Sequence, residues 1–486
     1  MITGSPVAAL ARVAKVIIIS TGIVVSGLVA VAATARFGTL LDAAWADVPG
    51  VIGLRGLAVT AAYLALGVAL VLGIRRMGAT ALRRWVPWAP LLLLVGLRAA
   101  AIPLVETPLP PDNDPFFLHE LAVEVLAGEN WLVRHRPMGF STMLAALYAV
   151  FGVHPWLAEA LNLALAAVAG WMLHWFVRGG WGPVTAAMAV TIYALVPSQV
   201  LLVTTIFTET LYSALLMTAI ALAAGAMHSR RIATSVAAGA LLGFSQYVRP
   251  LSQAFLATFI ALPFLSGLRL ARAAIAAAAI TISFLIVLAP IAVHNAVTHG
   301  DLSLSTSSYG GWSVFVGTNQ EHDGMFNRDD QSILRAMDGS IWENSEILGR
   351  AGIQRIVDDP RGFADLAIRK FRILWGDDTY AVGAALSGSS ASDPIRSALV
   401  MTSQAIYTAI AVAAAIGLWR VRRSAPPEAL ILASVLITMA AAHTFIEVQP
   451  RYHAYALPLL CALAAVAAMR MSDGADSSGD QRQVPG

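Results

Sequence analysis

Apolar runs of about 20 residues recur along nearly the whole chain, and each is long enough to cross a hydrocarbon core of ~30 Å as a helix. Such a chain folds as a helical bundle in a membrane, because backbone exposed to lipid must satisfy its own hydrogen bonds. Only 13% of the 486 residues are charged, against roughly 25% in soluble domains. An ordinary soluble globular protein is excluded. The runs lie at 13–34, 54–74, 86–105, 156–177, 183–198, 209–227, 232–248, 251–267, 273–293, 399–419, 428–446 and 453–470. The expected fold class is an all-α polytopic membrane protein of about 12 transmembrane helices. The run from Val13 to Ala33 is too long for the apolar part of a signal peptide and is read as a spanning helix.

Basic residues decide the orientation. Arg75, Arg76, Arg83 and Arg84, Arg178, Arg230 and Arg231, Arg269 and Arg272, Arg420, Arg422 and Arg423, and Arg470 all fall on one side of a twelve-span arrangement. Short basic loops mark the cytoplasmic side, so both termini are expected inside. The net charge of +3 and the pI near 9.1 therefore reflect topology, and no nucleic acid partner is expected. The single cysteine, Cys461, lies in an apolar run, so no intramolecular disulfide can form. The tail from Ser472 is polar, rich in small residues and expected to be disordered.

This arrangement leaves segments 106–155 and 294–398 outside. Asp112, Asp114, Arg134, Arg136, Glu209, Arg249, His294, Glu447 and Arg451 then fall on or near the outer face. Topology does not explain outward-facing arginines. In the first segment Phe117, Leu121, Val125 and Leu126 recur at helical spacing opposite His119, Glu120 and Glu124, as in an amphipathic helix lying at the membrane surface. A second short apolar helix is expected at 138–151. In isolation Asp112 and Asp114 read as caps or loop solvation, and Glu209 as a first-turn acid complementing the helix dipole. His119, His135 and His154 lack metal-ligand spacing and read as solvated or interfacial. In the second segment helices are expected at Ile341 to Asp358 and Phe363 to Leu374, with a flexible linker at 385–393.

The order of short motifs adds to this. LAGENW at Leu126 to Trp131, with Asp114 and an apolar residue at 117 or 118 before it and Arg136-Pro137 after it, resembles the first outer loop of the GT-C superfamily of polyprenyl-phosphate-sugar glycosyltransferases. The likeness is to the branch containing protein O-mannosyltransferases and the lipid A aminoarabinose transferase. Further similarities follow in order: Thr208-Glu209-Thr210-Leu211, Tyr247-Val248-Arg249-Pro250, PIAVHN at Pro290 to Asn295, the stretch Ser305 to Asn319, and Arg451-Tyr452 with LPLL at Leu457 to Leu460. Ungapped spacing from LAGENW favours Asp114 over Asp112 as the match to the catalytic acid. Three features depart from the pattern: an apolar residue at 117 or 118 stands where tyrosine is usual, Thr210 where proline is usual, and His294 where arginine is usual.

The resemblance implies an inverting glycosyltransferase that moves a mannose- or arabinose-like sugar from a polyprenyl monophosphate to an acceptor hydroxyl. The acceptor would be a lipid, a glycan or a protein, at the extracytoplasmic side of the plasma membrane. A carboxylate taking the acceptor's proton is worth about 10²–10⁴ in rate, and Asp114 is the candidate, with Asp112 beside it. The departing phosphate needs cationic support, which arginine's planar fork supplies. Arg136 comes first, then Arg249, His294 and Arg451. Glu209 would position the sugar, hold the base or join Asp114 around a divalent cation. No cofactor is required, although such a cation would fit.

On this reading the chain divides into two extra N-terminal helices (1–85), a catalytic core with its outer loop (86–293), a large outer loop (294–398), C-terminal helices (399–471) and a cytoplasmic tail (472–486). A lipid-linked-sugar flippase and a non-catalytic relative remain the alternatives. Transporters usually set ionisable groups near the bilayer midplane, whereas here they cluster at one interface.

Overall fold

Among the described residues, seven helices meet both the length and the apolarity that a membrane crossing needs. In the computed structural model they belong to a bundle described at residues 6–46, 52–76, 88–105, 109, 111, 113–129, 136–229, 231–388 and 393–469, with no strand among those residues. Asp112, Trp131, Arg134, His135, Arg83, Arg84, Arg230, Arg470, positions 389–392 of the linker and the tail from Ser472 lie outside the described residues.

Helices α1 (Pro6–Ala46) and α2 (Ile52–Arg76) come first, then α3 (Trp88–Ala101), which a 3₁₀ turn prolongs to Leu104. Two short helices follow, α4 (Asp114–Leu126) and α5 (Gly139–Phe151). The long α6 (Trp156–Ala194) breaks at Gly182, whose φ of 83° only glycine adopts without strain, just before Pro183. The spans expected at 156–177 and 183–198 are therefore joined through a kink without a loop.

Next come α7 (Glu209–Ser229), α8 (Ile232–Gln246), α9 (Ser252–Leu265) and α10 (Leu270–His299). The stretch expected as a large loop holds α11 (Gly310–Gly317), α12 (Arg328–Ala336), α13 (Ile341–Asp358) and α14 (Pro360–Gly376), then a short helix at Tyr380–Ala385 that a 3₁₀ turn prolongs to Gly388. Helix α13 starts at a capping box between Ser340 and Glu343, and Asp359 caps α14, so both begin near where the periodicity predicts. The chain ends in α15 (Asp393–Val421), α16 (Pro427–Phe445), a 3₁₀ helix at Pro450–Ala456, and α17 (Leu457–Ala467).

At ~1.5 Å per residue, α3, α8, α9 and α17 fall short of a ~30 Å core. The twelve expected crossings thus divide into long helices and shorter ones. The most enclosed of the long spans is α7, between α6 and α8. Its surface is apolar all round, and alanines at 214, 219, 221, 223, 224 and 226 let neighbours approach closely. Helix α8 meets α10 across Gly239 and Gly243, where a Cβ at 239 would stand 2.1 Å from the Ile280 carbonyl oxygen.

The first helix is part of this bundle. Helix α1 packs against α14, α15 and α16. Gln404 and Thr408 both donate to the Ala33 carbonyl at 3.1 Å, and Arg36 pairs with Asp377 at 2.8 Å.

Candidate functional site

The central helix places the first site residue. Glu209 opens α7 and is 1% exposed, so its carboxylate needs partners on other elements. It finds two guanidinium groups. Arg249 Nη2 lies 2.5 Å from Glu209 Oε1, and Arg451 Nε lies 3.3 Å from the same oxygen. Arg249 stands in the turn between α8 and α9, whereas Arg451 comes from the 3₁₀ helix after α16.

Asp114 is the first residue of α4, where the unpaired N–H groups of a helix start favour an anion. Its carboxylate does more than complement that helix end. Arg136 Nη1 donates to Oδ1 and Arg451 Nη2 to Oδ2, so each oxygen holds one arginine. Burial alone would raise the pKa of Asp114. The guanidinium groups of Arg451 and Arg136 outweigh that and hold the carboxyl well below the ordinary carboxylate range.

Local packing explains the convergence. The Ser141 hydroxyl donates to the Leu118 carbonyl at 3.0 Å, and His119 meets the Tyr148 hydroxyl at 2.8 Å, which holds α4 on α5. The Gly139 N–H donates to the Tyr247 carbonyl at 2.8 Å. That contact sets Arg136, three residues before Gly139, beside the turn that carries Arg249. From the other side the Thr306 hydroxyl donates to the Gln246 carbonyl at 2.7 Å, and Asn295 steadies the same loop by donating to the Ser303 and Ser305 carbonyls.

Aromatic rings fill the space between the charges. Arg451 lies over Phe207 at 4.4 Å and Tyr380 at 5.5 Å, and Arg249 over Tyr452 at 4.5 Å and Tyr455 at 5.6 Å. Rings in these positions exclude water and support the cations through their π faces. Three guanidinium groups here contact two carboxylates, with the buried Glu447 carboxyl close by. The Nε atom of Arg249 is buried without a hydrogen-bond acceptor among the described residues. The arrangement suits an incoming anion.

Of the residues singled out in the sequence, the structure brings together Asp114, Glu209, Arg136, Arg249 and Arg451. It places His294 on α10 near His299, at 6.4 Å between rings, outside this ion-pair network among the described residues. Asp112 is not described. Among the described residues no group of three or more His, Cys, Asp or Glu is placed to hold a metal ion.

Sequence reasoning left out Phe207, Tyr380 and Tyr455, and set Glu447 at the outer face without giving it a role. Glu447 accepts from Gln449 at 2.8 Å and from the Tyr452 hydroxyl at 3.3 Å, and burial pushes its carboxyl up. Its one sequence signal is its place four residues before Arg451. Phe207 has a comparable signal, two residues before Glu209.

Fold and site together define a helical, multi-pass membrane protein with an arginine-clamped pair of carboxylates at one end of its bundle. No protein-family model and no curated protein matches the chain. Among solved structures it is similar to the archaeal oligosaccharyltransferase AglB from Archaeoglobus fulgidus, in complex with an inhibitory peptide and a dolichol-phosphate. That match has 13% identity and a TM-score of 0.46 over 82% of this chain and 53% of that one. It is also similar to ArnT from Cupriavidus metallidurans bound to undecaprenyl phosphate, at 13% identity and a TM-score of 0.35 over 80% of this chain and 78% of that one. The chain spans about half the length of the oligosaccharyltransferase.

Proposed function

We propose that this chain is an inverting glycosyltransferase that uses a polyprenyl monophosphate sugar, with its active site at the extracytoplasmic face. The observation that carries the reading is the meeting of Asp114, Arg136 and Arg451, from three distant segments, beside the buried Glu209–Arg249 pair. An acid at a cationic, aromatic-lined surface is what sugar transfer from a lipid phosphate requires.

The acceptor hydroxyl oxygen attacks the anomeric carbon as its proton passes to Asp114. The bond from that carbon to the phosphate oxygen breaks, and the electron pair leaves with the polyprenyl phosphate. Arg136 is the first phosphate contact, because its side chain is 33% exposed while that of Arg451 is 5% exposed. Arg249 and Arg451 support the same charge from deeper in the site. His294 enters only through its motif position.

The doubly paired Asp114 is a weak base, since proton transfer is best from a group whose pKa lies near the working pH. A donor phosphate that draws Arg136 away relieves one of the two charges that depress it. The base therefore gains strength when the donor is bound. Glu209 keeps Arg451 aimed at Asp114, and a divalent cation is not needed for any of these steps. The sugar is mannose- or arabinose-like, residues 86–293 form the catalytic core, and helices α11–α14 cover it.

The test is transfer by the purified chain from a polyprenyl-phosphate sugar to a hydroxyl acceptor, with the anomeric configuration of the product determined. Inversion, and its loss in Asp114→Asn, is expected. Undiminished transfer by Asp114→Asn would sink the assignment of Asp114 as the base, whereas no transfer by the wild type would favour a lipid carrier or an assembly subunit. Glycan analysis of the cell envelope in a deletion strain names the sugar and the acceptor.

A further inference from the structure

Lys15 and Lys370 are the only lysines among 32 Lys and Arg residues. Lys370 lies on α14, 1% exposed, and its Nζ donates to three carbonyl oxygens: Gly317 at 2.6 Å, Ile446 at 2.8 Å and Thr444 at 2.9 Å. Gly317 ends α11, Thr444 belongs to the last turn of α16, and Ile446 is the residue that follows it. The lysine thus joins two helix C-termini, where unpaired carbonyls and the negative end of each helix dipole favour a cation.

Geometry favours lysine at this point. An ammonium has three divergent donors and meets three oxygens, whereas a guanidinium fork directs its donors in one plane. The stem is fitted as closely as the head. Gly324 has φ of 68°, and a Cβ there would stand 2.7 Å from Lys370 Cδ. The segment after α16 is held from its other side as well. The Glu447 N–H donates to the Ser313 carbonyl at 2.8 Å, and the Val448 N–H to the Gly324 carbonyl at 3.0 Å. Arg451 and Glu447 are both on this segment.

We infer that Lys370 is a positioning residue. It fixes the turn from α16 into the 3₁₀ helix, and thereby sets Arg451 against Asp114 and Glu209 and keeps Glu447 beside them. It also couples α11 and α14 to the site, so any movement of those helices shifts Arg451. The effect on sugar transfer rests on the proposed function; the effect on the turn does not.

The experiment uses the full chain in lipid nanodiscs, as wild type, Lys370→Met and Lys370→Arg. Hydrogen exchange is followed at 444–452, binding is measured with undecaprenyl monophosphate as the probe, and transfer is resolved into kcat and KM. In Lys370→Met the Glu447 and Val448 amides exchange about tenfold faster or more, as loss of hydrogen bonds to a charged group would produce, while α7 exchanges as in the wild type. Probe affinity falls, and kcat falls further than KM for the acceptor changes. Lys370→Arg keeps the charge without the three-oxygen fit and lies between the two.

Unchanged exchange at 447–448 in both variants overturns the inference. So does faster exchange with probe affinity and kcat intact. If Lys370→Met does not fold, Lys370→Arg carries the same two readouts, and wild-type behaviour of that variant overturns the argument from geometry. If the wild type transfers no sugar, the proposed function falls, and exchange with probe binding still decides the role of Lys370.

Discussion

Asp114 and Arg451 are 337 positions apart in the chain and form a direct ion pair. The pair joins the N-terminus of α4 to the 3₁₀ helix that leads into α17, and Arg451 also reaches Glu209 at the start of α7. One guanidinium therefore holds two carboxylates from two different helices. Removing it has consequences for both stability and chemistry.

Arg451→Gln leaves Asp114 with Arg136 and Glu209 with Arg249 as their remaining cationic partners. Arg451 is nearly fully buried, so breaking this pair should cost about 3–5 kcal/mol. Thermal unfolding in detergent, measured beside Arg136→Gln, checks this. Arg451→Gln should unfold at clearly lower temperature and Arg136→Gln close to wild type, because Arg136 is far more exposed. Equal losses would contradict the ranking.

Arg136→Gln should instead weaken binding of the donor. A charged hydrogen bond to phosphate is worth roughly 1.5–3 kcal/mol, or about tenfold or more in affinity. Titration with a polyprenyl monophosphate measures it, and Arg136→Lys should recover only part of the loss, because a single ammonium replaces a planar fork.

Asp114→Asn should lower transfer by about 10²–10⁴ if the carboxylate is the base. The fold should survive, as asparagine keeps the volume and accepts through one oxygen. Circular dichroism with donor binding distinguishes loss of chemistry from loss of structure, and a variant that binds the donor and transfers at the wild-type rate would remove Asp114 from the mechanism.

The ion pairs of Asp114 also set a pH dependence. Its folded pKa is depressed below the unfolded value of ~3.9, with Arg451 and Arg136 overcoming the opposing effect of burial. A depressed carboxylate contributes stability that is fully present above the unfolded pKa and is lost as pH falls through the folded one. Unfolding temperature recorded from neutral pH to about pH 3 should fall more steeply for wild type than for Asp114→Asn. Parallel curves would show that the pairs contribute little.

The α8–α10 contact offers a control away from the site. Gly239→Ala places a methyl 2.1 Å from a backbone oxygen that cannot move independently of α10, so overpacking should cost about 1–3 kcal/mol. Thermal unfolding checks it, and donor affinity measured below the transition should stay at the wild-type value.

The sequence by itself determined the material and its segments. Apolar runs dictate membrane-length helices, because a buried backbone must bond to itself and the helix does so locally. The helices expected at Ile341 to Asp358 and at Phe363 to Leu374 were legible for the same reason, and the structure has them at Ile341–Asp358 and Pro360–Gly376. The motif order also named Asp114, Glu209, Arg136, Arg249 and Arg451 individually. Only the tertiary structure decided how they pair: that Asp114 takes Arg136 and Arg451, that Glu209 takes Arg249 and Arg451, and that His294 stands apart beside His299. Tyr380 and Lys370 were illegible as site or positioning residues, since nothing local marks a ring that will lie over Arg451 or a lysine that will meet three carbonyls, while Phe207 and Glu447 carried only their nearness in sequence to Glu209 and Arg451. Periodicity and caps are properties of a few neighbouring residues. Which charges meet across hundreds of positions is set by the packing of whole helices, and that packing exists only in the folded chain.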